Sequence, residues 1–252
     1  AETTWPGKAP ADDARMAIAQ INLVLGKIKE ALDVFEKVNP KSERYPLALY
    51  LSGRTYWQLY LNERMQGGAD KDKLAADRAS AVKRIADALA GFRKAADPHK
   101  PLTPQHVESQ LLMAFVHMEA KENKEAAALL QPLVDQVKAS KPKGLDETTV
   151  RIFRAALQAN LGIGDVGRAS DVGMILCDLG ADVQPVNAVL VDFARVMDEE
   201  RKNAEAGVQS ARETDLDRVR ATYSSLASAR FVLERRGLTI ERVEKTHKDF
   251  AE

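Results

Sequence analysis

Apolar residues in this chain recur three and four positions apart almost from end to end, and no useful stretch alternates at period two. That spacing lines one face of a 3.6-residue helix and leaves no convincing strand, so an all-α fold is expected. Eleven helices follow from it. The first covers residues 12–25, with Met16, Ile18, Ala19, Leu23 and Val24 at its apolar positions, and Gly26 breaks it. The second covers 27–38 and stops at Asn39-Pro40, because the residue before proline avoids the α region. A third, 45–65, ends at Gly67-Gly68, and a fourth, 72–96, at Asp97-Pro98. Thr103-Pro104 supplies a capping hydroxyl and a first-turn proline for a helix to about residue 121. The next, 124–140, contains Pro132 and should kink or restart there. Residues 146–161 and 166–179 form a pair, and 185–206 and 214–236 a longer one. Leu216, Val219, Tyr223, Leu226 and Leu233 give that last helix a heptad-like stripe, and Thr239 caps a final short helix.

The closing prolines, Pro40, Pro98, Pro142 and Pro185, are 58, 44 and 43 residues apart. A period in this range marks a helical solenoid, where each hairpin buries its apolar face only by stacking on its neighbours. Composition agrees. The 252 residues are 45% hydrophobic, too apolar for a disordered chain. Alanine supplies 38 of them, and Ala31, Ala88, Ala95, Ala126 and Ala169 are placed where hairpins must approach closely. The longest uncharged run, Met16 to Gly26, has eleven residues, short of the roughly 18 that span a bilayer. Thirty-seven basic and 37 acidic side chains cancel, so no global charge draws the chain to nucleic acid or anionic lipid. Residues 1–100 carry a net +4 and 101–252 a net −4, a mild polarity. One cysteine, Cys177, excludes an internal disulfide. Residue 1 is alanine and no basic-then-apolar leader is present. A processed form or a piece of a longer protein is expected, with cytoplasm and periplasm both open.

The hairpins resemble tetratricopeptide (TPR) repeats. Gly26, Ala31, Phe35, Val38 and Pro40 match the second half of a unit. Leu49, Gly53 and Tyr56 match the first helix of the next, and Ala88, Phe92, Ala95 and Pro98 its second half. Ala114, Ala126, Leu130 and Leu133 fit a third unit, and Gly164, Ala169 and Leu176 a fourth, with Gly173 at a usual aromatic position. About twenty inserted residues lengthen both helices of unit two around Gly67-Gly68. The resemblance implies a right-handed helical-hairpin solenoid. Residues 1–11 form an N-terminal extension and 12–180 about four degenerate repeats; 181–252 form a helical hairpin with a capping helix.

Gly162-Ile163-Gly164-Asp165-Val166-Gly167 spells G-x-G-x-x-G, but a helix precedes it where a dinucleotide site needs a strand, so it is read as a hairpin turn. His106 and His117 share a helix face but lie about 16 Å apart along it, too far for one metal; His99 and His247 add no ligand spacing. No nucleophile elbow or Walker loop occurs. Carboxylate pairs such as Asp12-Asp13 and Glu199-Glu200 fit helix ends or solvated faces, and Cys177 in its apolar run fits an inert thiol. The basic residues Arg78, Lys83, Arg84, Arg93 and Lys94 are interleaved with acids and lack a stacking platform. No metal, cofactor or nucleic-acid partner is expected.

Five of the fourteen aromatic residues, Tyr45, Tyr50, Tyr56, Trp57 and Tyr60, fall within sixteen positions. TPR ligands usually lie along the first helix of each hairpin, which by position implies Tyr50, Arg54, Trp57 and Gln58 in unit two. The same reasoning implies Glu108, Leu111, Phe115 and Met118 in unit three, and Arg151, Arg154 and Gln158 in unit four. The plainer alternative is that Trp57 and Phe115 pack against neighbouring helices. The expected function is a non-enzymatic scaffold that binds a protein or peptide, with Trp57, Tyr50 and Phe115 as apolar anchors and Arg54, Arg151 and Arg154 pairing carboxylates. Two alternatives stay open. One is a structural segment of a larger, envelope-associated protein, forming a homo-oligomer through the 185–236 hairpin. The other is a helical enzyme whose carboxylates converge only in three dimensions.

Overall fold

The computed structural model describes residues 9–66, 70–97, 100–140, 142 and 146–179, with isolated positions at 191, 195, 199, 202 and 227. The expected helices at 185–206, 214–236 and after Thr239 lie outside these residues, as do most of the 1–11 extension and the 181–252 segment. Eight α-helices make up the described part: α1 (Ala9–Val24), α2 (Ile28–Phe35), α3 (Tyr45–Gln66), α4 (Lys71–Ala95), α5 (Pro104–Glu119), α6 (Asn123–Ser140), α7 (Glu147–Gly162) and α8 (Val166–Leu179). They fall into two compact units, Ala1–Val116 and His117–Glu252, with the boundary inside α5. In the first, α1 packs on α2, α2 on α3 and α3 on α4; in the second, α7 packs on both α6 and α8.

Three of the interhelical turns are the same device. After α1, Gly26 adopts φ +73°, its amide donates to the Leu23 carbonyl at 3.1 Å, and the Lys27 amide reaches back to Asn22 at 2.8 Å. After α7, Gly164 sits at φ +75° while its amide donates to Leu161 and the Asp165 amide to Asn160, both at 2.9 Å. These are Schellman closures, which satisfy the last carbonyls of a helix and favour glycine at the left-handed position. After α5 the same two bonds form, Lys121 to Met118 at 3.0 Å and Glu122 to His117 at 2.9 Å. Here the left-handed residue is Lys121, at φ +63°, so a side chain carries a conformation that glycine adopts more readily.

Close helix approach is the second device. A Cβ added to Gly53 on α3 would stand 2.8 Å from Cγ1 of Ile85 on α4, and one added to Gly91 on α4 would stand 2.7 Å from Cγ of Pro46 on α3. Beyond them, Lys73 of α4 pairs with Glu63 of α3. These three contacts run in opposite chain order, so the long hairpin stays antiparallel through its insertion, with α3 at 22 and α4 at 25 residues. Ala31, Ala88, Ala126 and Ala169 are fully buried, as their spacing implies. Ala95 is not: it lies exposed at the end of α4. Gly91, one turn earlier, makes the close approach instead.

Two boundaries differ from expectation. α2 stops at Phe35 rather than 38, because Lys37 and Val38 bond back only three residues, to Val34 and Phe35. The tighter turn still buries Val38. α6 runs unbroken through Pro132. The carbonyl deprived of its donor belongs to Ala128, an exposed residue, where water can take the bond.

Asp12 ties the first unit together. Its buried Oδ1 accepts from the Arg15 guanidinium at 2.7 Å and from the Asn39 amide at 3.2 Å, fastening α1 to the loop after α2. Burial alone would raise this carboxyl, but the Asn39 amide, Arg15 and Ser42 outweigh it and hold it below its ordinary value. The stabilisation is present above the ordinary carboxylate range and is lost as pH falls through the depressed folded value. The core it closes joins Met16 and Ala19 of α1, Phe35 and Val38, Ala48 to Leu51 of α3, and Ala88.

Gly53→Ala is expected to lower stability by about 1–3 kcal/mol through overpacking against Ile85. Lys121→Gly is expected to raise it by up to about 1 kcal/mol by relieving the left-handed backbone. Urea unfolding followed by circular dichroism measures both.

Candidate functional site

The aromatic cluster divides on α3. Tyr50 and Trp57 are each 6% exposed and Tyr60 is 8%, while Tyr45 and Tyr56 are half-buried. Trp57 stacks on Tyr60 with ring centroids 5.0 Å apart, and the Arg64 guanidinium reaches the Tyr60 hydroxyl at 3.5 Å. The exposed members of the face are polar: Arg54 and Gln58, one helical turn apart. Arg54 lies 5.8 Å over the Tyr50 ring, a cation–π contact that seats the guanidinium above a buried floor. Tyr56 is covered by Arg84 of α4 at 5.2 Å. Arg84 also pairs with Glu36, after α2, and donates to Ser52 at 3.4 Å. One guanidinium thus joins three segments.

The other expected positions separate similarly. On α5, Leu111 is fully buried, and Glu108, Phe115 and Met118 are half-buried. On α7, Arg154 and Gln158 are exposed and Arg151 is half-buried, above a floor of Ile152, Phe153, Ala155, Ala156 and Leu157. The spacing arginine, three residues, glutamine therefore appears on the exposed face of both α3 and α7, at Arg54/Gln58 and Arg154/Gln158. The recurrence is visible in the sequence, but only burial separates these four from their buried neighbours.

The G-x-G-x-x-G segment is a turn between two helices. Gly164 closes α7, and Asp165 then caps α8, accepting from the Arg168 amide at 3.0 Å. Arg168 Nε lies 3.3 Å from the same carboxylate. The positive end of α8 is thus met by this chain's own anion, beside an open depression of about 690 Å³ lined by Lys124, Ala128, Ile163 and Arg168. His106 is buried against Phe92, ring centroids 5.9 Å apart, and His117 Nδ1 lies 2.7 Å from Glu122. Among the described residues no group of three or more His, Cys, Asp or Glu could hold a metal ion. No helix among them is long and apolar enough to cross a membrane. The side chain of Cys177 lies outside the described set, as do His99 and His247.

The shifted ionisable groups have structural causes. Asp146 caps α7 and is held below its ordinary value by the Thr149 hydroxyl and amide, the latter donating at 2.7 Å. His106 is lowered by burial and then by Arg93, so the fold favours its neutral ring. Asp77 is raised, first by burial and then by the negative charge of Glu63, with Lys73 opposing. Glu63 Oε2 and Asp77 Oδ2 are both buried without a hydrogen-bond partner. This knot sits in the lengthened part of α3 and α4, where sequence spacing alone does not show which carboxylates meet.

Antiparallel helical hairpins, closed by one recurring left-handed turn and packed through small residues, define a TPR-like helical-repeat fold. Comparison with solved structures gives the same class. Nearly identical TPR-like repeats of a Podosopora anserina protein described as a kinesin light chain, in a point-variant form, superimpose with a TM-score of 0.55 at 17% identity, covering 83% of this chain and 93% of that one. A second structure of such repeats gives 0.53 at 15% identity, covering 89% and 95%. At these identities the likeness is one of fold. No family model matches the chain, and no curated protein matches it.

His106 sets a pH dependence. Its contribution is complete above the ordinary histidine value near 6.5 and is lost as pH falls through the lowered folded value. His106→Gln is therefore expected to flatten the fall in melting temperature between about pH 7 and 5. Asp77→Asn is expected to raise stability at neutral pH, because it removes a buried like charge beside Glu63, and to have less effect in acid, where Asp77 takes up a proton.

Proposed function

We propose that this chain is a non-enzymatic adaptor that receives a protein or peptide segment along the first helices of its hairpins. The observation that carries the reading is the repeated pair of exposed Arg and Gln side chains, Arg54/Gln58 on α3 and Arg154/Gln158 on α7, above well-packed floors. A guanidinium matches a carboxylate bidentately, and a glutamine amide can both donate to and accept from an extended backbone. Glu108 and Phe115 are the corresponding contact positions on α5 in this reading. Tyr50 and Trp57 act from beneath, Tyr50 under Arg54 and Trp57 stacked on Tyr60. TPR-like folds commonly mediate protein–protein interaction, and that tendency supports the reading without naming a partner.

The ligand class expected is an acidic extended peptide. Panning the full chain against a displayed random peptide library should enrich Asp- and Glu-bearing sequences. Replacing Arg151 and Arg154 together by Ala should weaken the selected peptides by about tenfold or more, the loss of charge-assisted hydrogen bonds worth roughly 1.5–3 kcal/mol each. Selection without acidic bias, or unchanged affinity in the double variant, overturns the assignment of roles.

A further inference from the structure

Helix α3 carries an unbroken polar row. Arg54, Gln58, Asn62 and Gln66 follow one another at four-residue steps, and all four are exposed. Among the described residues, no hydrogen bond engages the three side-chain amides. The row holds no carboxylate. Arg54 has Tyr50, Leu51, Trp57 and Gln58 three and four residues away, so no acid of its own helix faces it. Its guanidinium stands over the Tyr50 ring, a contact that uses one face and leaves the N–H edge for an acceptor. Arg44 and Arg84, by contrast, meet Asp13 and Glu36. Arg154 and Gln158 begin the same row on α7, but Gly162, at the next step, has no side chain. The lengthening of α3 is what adds Asn62 and Gln66.

The step length identifies an occupant. Four residues rise about 6 Å along a helix, and the row they form is inclined about 26° to the axis, so each step measures about 6.7 Å. An extended chain rises about 3.3–3.4 Å per residue, so one edge of it presents an N–H and a C=O about every 6.7 Å. A side-chain amide, with one acceptor and two donors, is the complement of such a pair. The four-residue step of α3 and the two-residue step of a strand therefore stay in register over the whole row, about 20 Å or six residues of strand.

We propose that α3 binds an extended peptide lengthwise, its main chain paired with Gln58, Asn62 and Gln66 and a carboxylate at one end held by Arg54. The inference rests on the adaptor reading above and narrows it. The amides read backbone with little regard to sequence, and selectivity is set at the Arg54 end.

Titrating the nitrogen-15-labelled full chain with three synthetic probes tests this. The first is Glu followed by six Thr, the second is the reverse sequence, and both have blocked ends; Thr favours extended backbone. The third, six Thr with a free C-terminus, tells a terminal carboxylate from a side-chain one, and either source fits the site. The tightest probe should move the side-chain NH2 signals of Gln58, Asn62 and Gln66 together with a single Kd, each signal being assigned by its loss in the corresponding Ala variant. Gln58→Ala, Asn62→Ala and Gln66→Ala combined, and Arg54→Ala alone, should each weaken binding at least about tenfold. Far-UV circular dichroism of these variants should be unchanged, since all four side chains are exposed. N-methylation of alternate probe residues should abolish binding on one edge of the strand and be tolerated on the other. No binding by any probe, amide signals that stay still while a probe binds, or equal affinity of the two N-methylated forms overturns the proposal. The adaptor reading survives those results where library selection still enriches acidic peptides that depend on Arg151 and Arg154, and falls where it does not.

Discussion

Where α3 runs beside α4, a hydrogen atom stands in the place that any other residue would fill with carbon. Gly53 faces the fully buried Ile85 there, and Gly91 faces Pro46 two turns away. A helical hairpin has no sheet partner to complete its hydrogen bonds; it gains stability only by pressing one apolar stripe against another, and dispersion between the two fades within an ångström of separation. The backbones must therefore come close at a few points. Those points fix the rotation of each helix, and with it which side chains are buried and which face solvent. Arg54 and Gln58 are outside because Gly53 is inside.

The turns apply the same constraint at the hairpin ends. Gly26, Lys121 and Gly164 each reverse the chain with one left-handed residue and the same pair of backbone bonds. Each turn discharges the carbonyls left at a helix end without recruiting a side chain. Gly26 and Gly164 announce such turns in the sequence, and the helix before Gly162 was enough to separate its motif from a nucleotide loop. Lys121 gave no such notice, since a lysine in the left-handed region is set by the strength of the flanking helices rather than by its own preference. Gly91 was equally silent. Its role depends on Pro46, forty-five residues earlier, and Ala95 looked like the better candidate on spacing alone.

Burial sorted the rest of the candidate site. The sequence places Tyr50, Arg54, Trp57 and Gln58 on one helix within nine positions. Helical spacing shows that they cannot all face one way, but not which members turn inward. In the structure the rings pack and the polar groups emerge, because an aromatic ring gains most by leaving water while Arg and Gln heads lose most. The sites that escape a linear reading altogether are those made between elements: Asp12 with Asn39, Arg84 with Glu36 and Ser52, and Asp77 beside Glu63 and Lys73. Their chain separations carry no periodic signal.

Zero net charge takes on a different meaning once these contacts are placed. Much of the balance is local. Arg44 meets Asp13, Arg84 meets Glu36, Lys73 meets Glu63 and Arg168 meets Asp165. Exposed pairs of this kind add little stability individually, but they quiet the field around the helices and leave a few groups to act at contact range. Arg54 and Arg154 are such groups on their helices. The uncharged arc of α1 is the opposite case, a surface from which charge is missing over a whole helix length. With no long-range pull, what these helices present is decided at contact range: guanidinium and amide heads on α3 and α7, apolar side chains on the outer arc of α1.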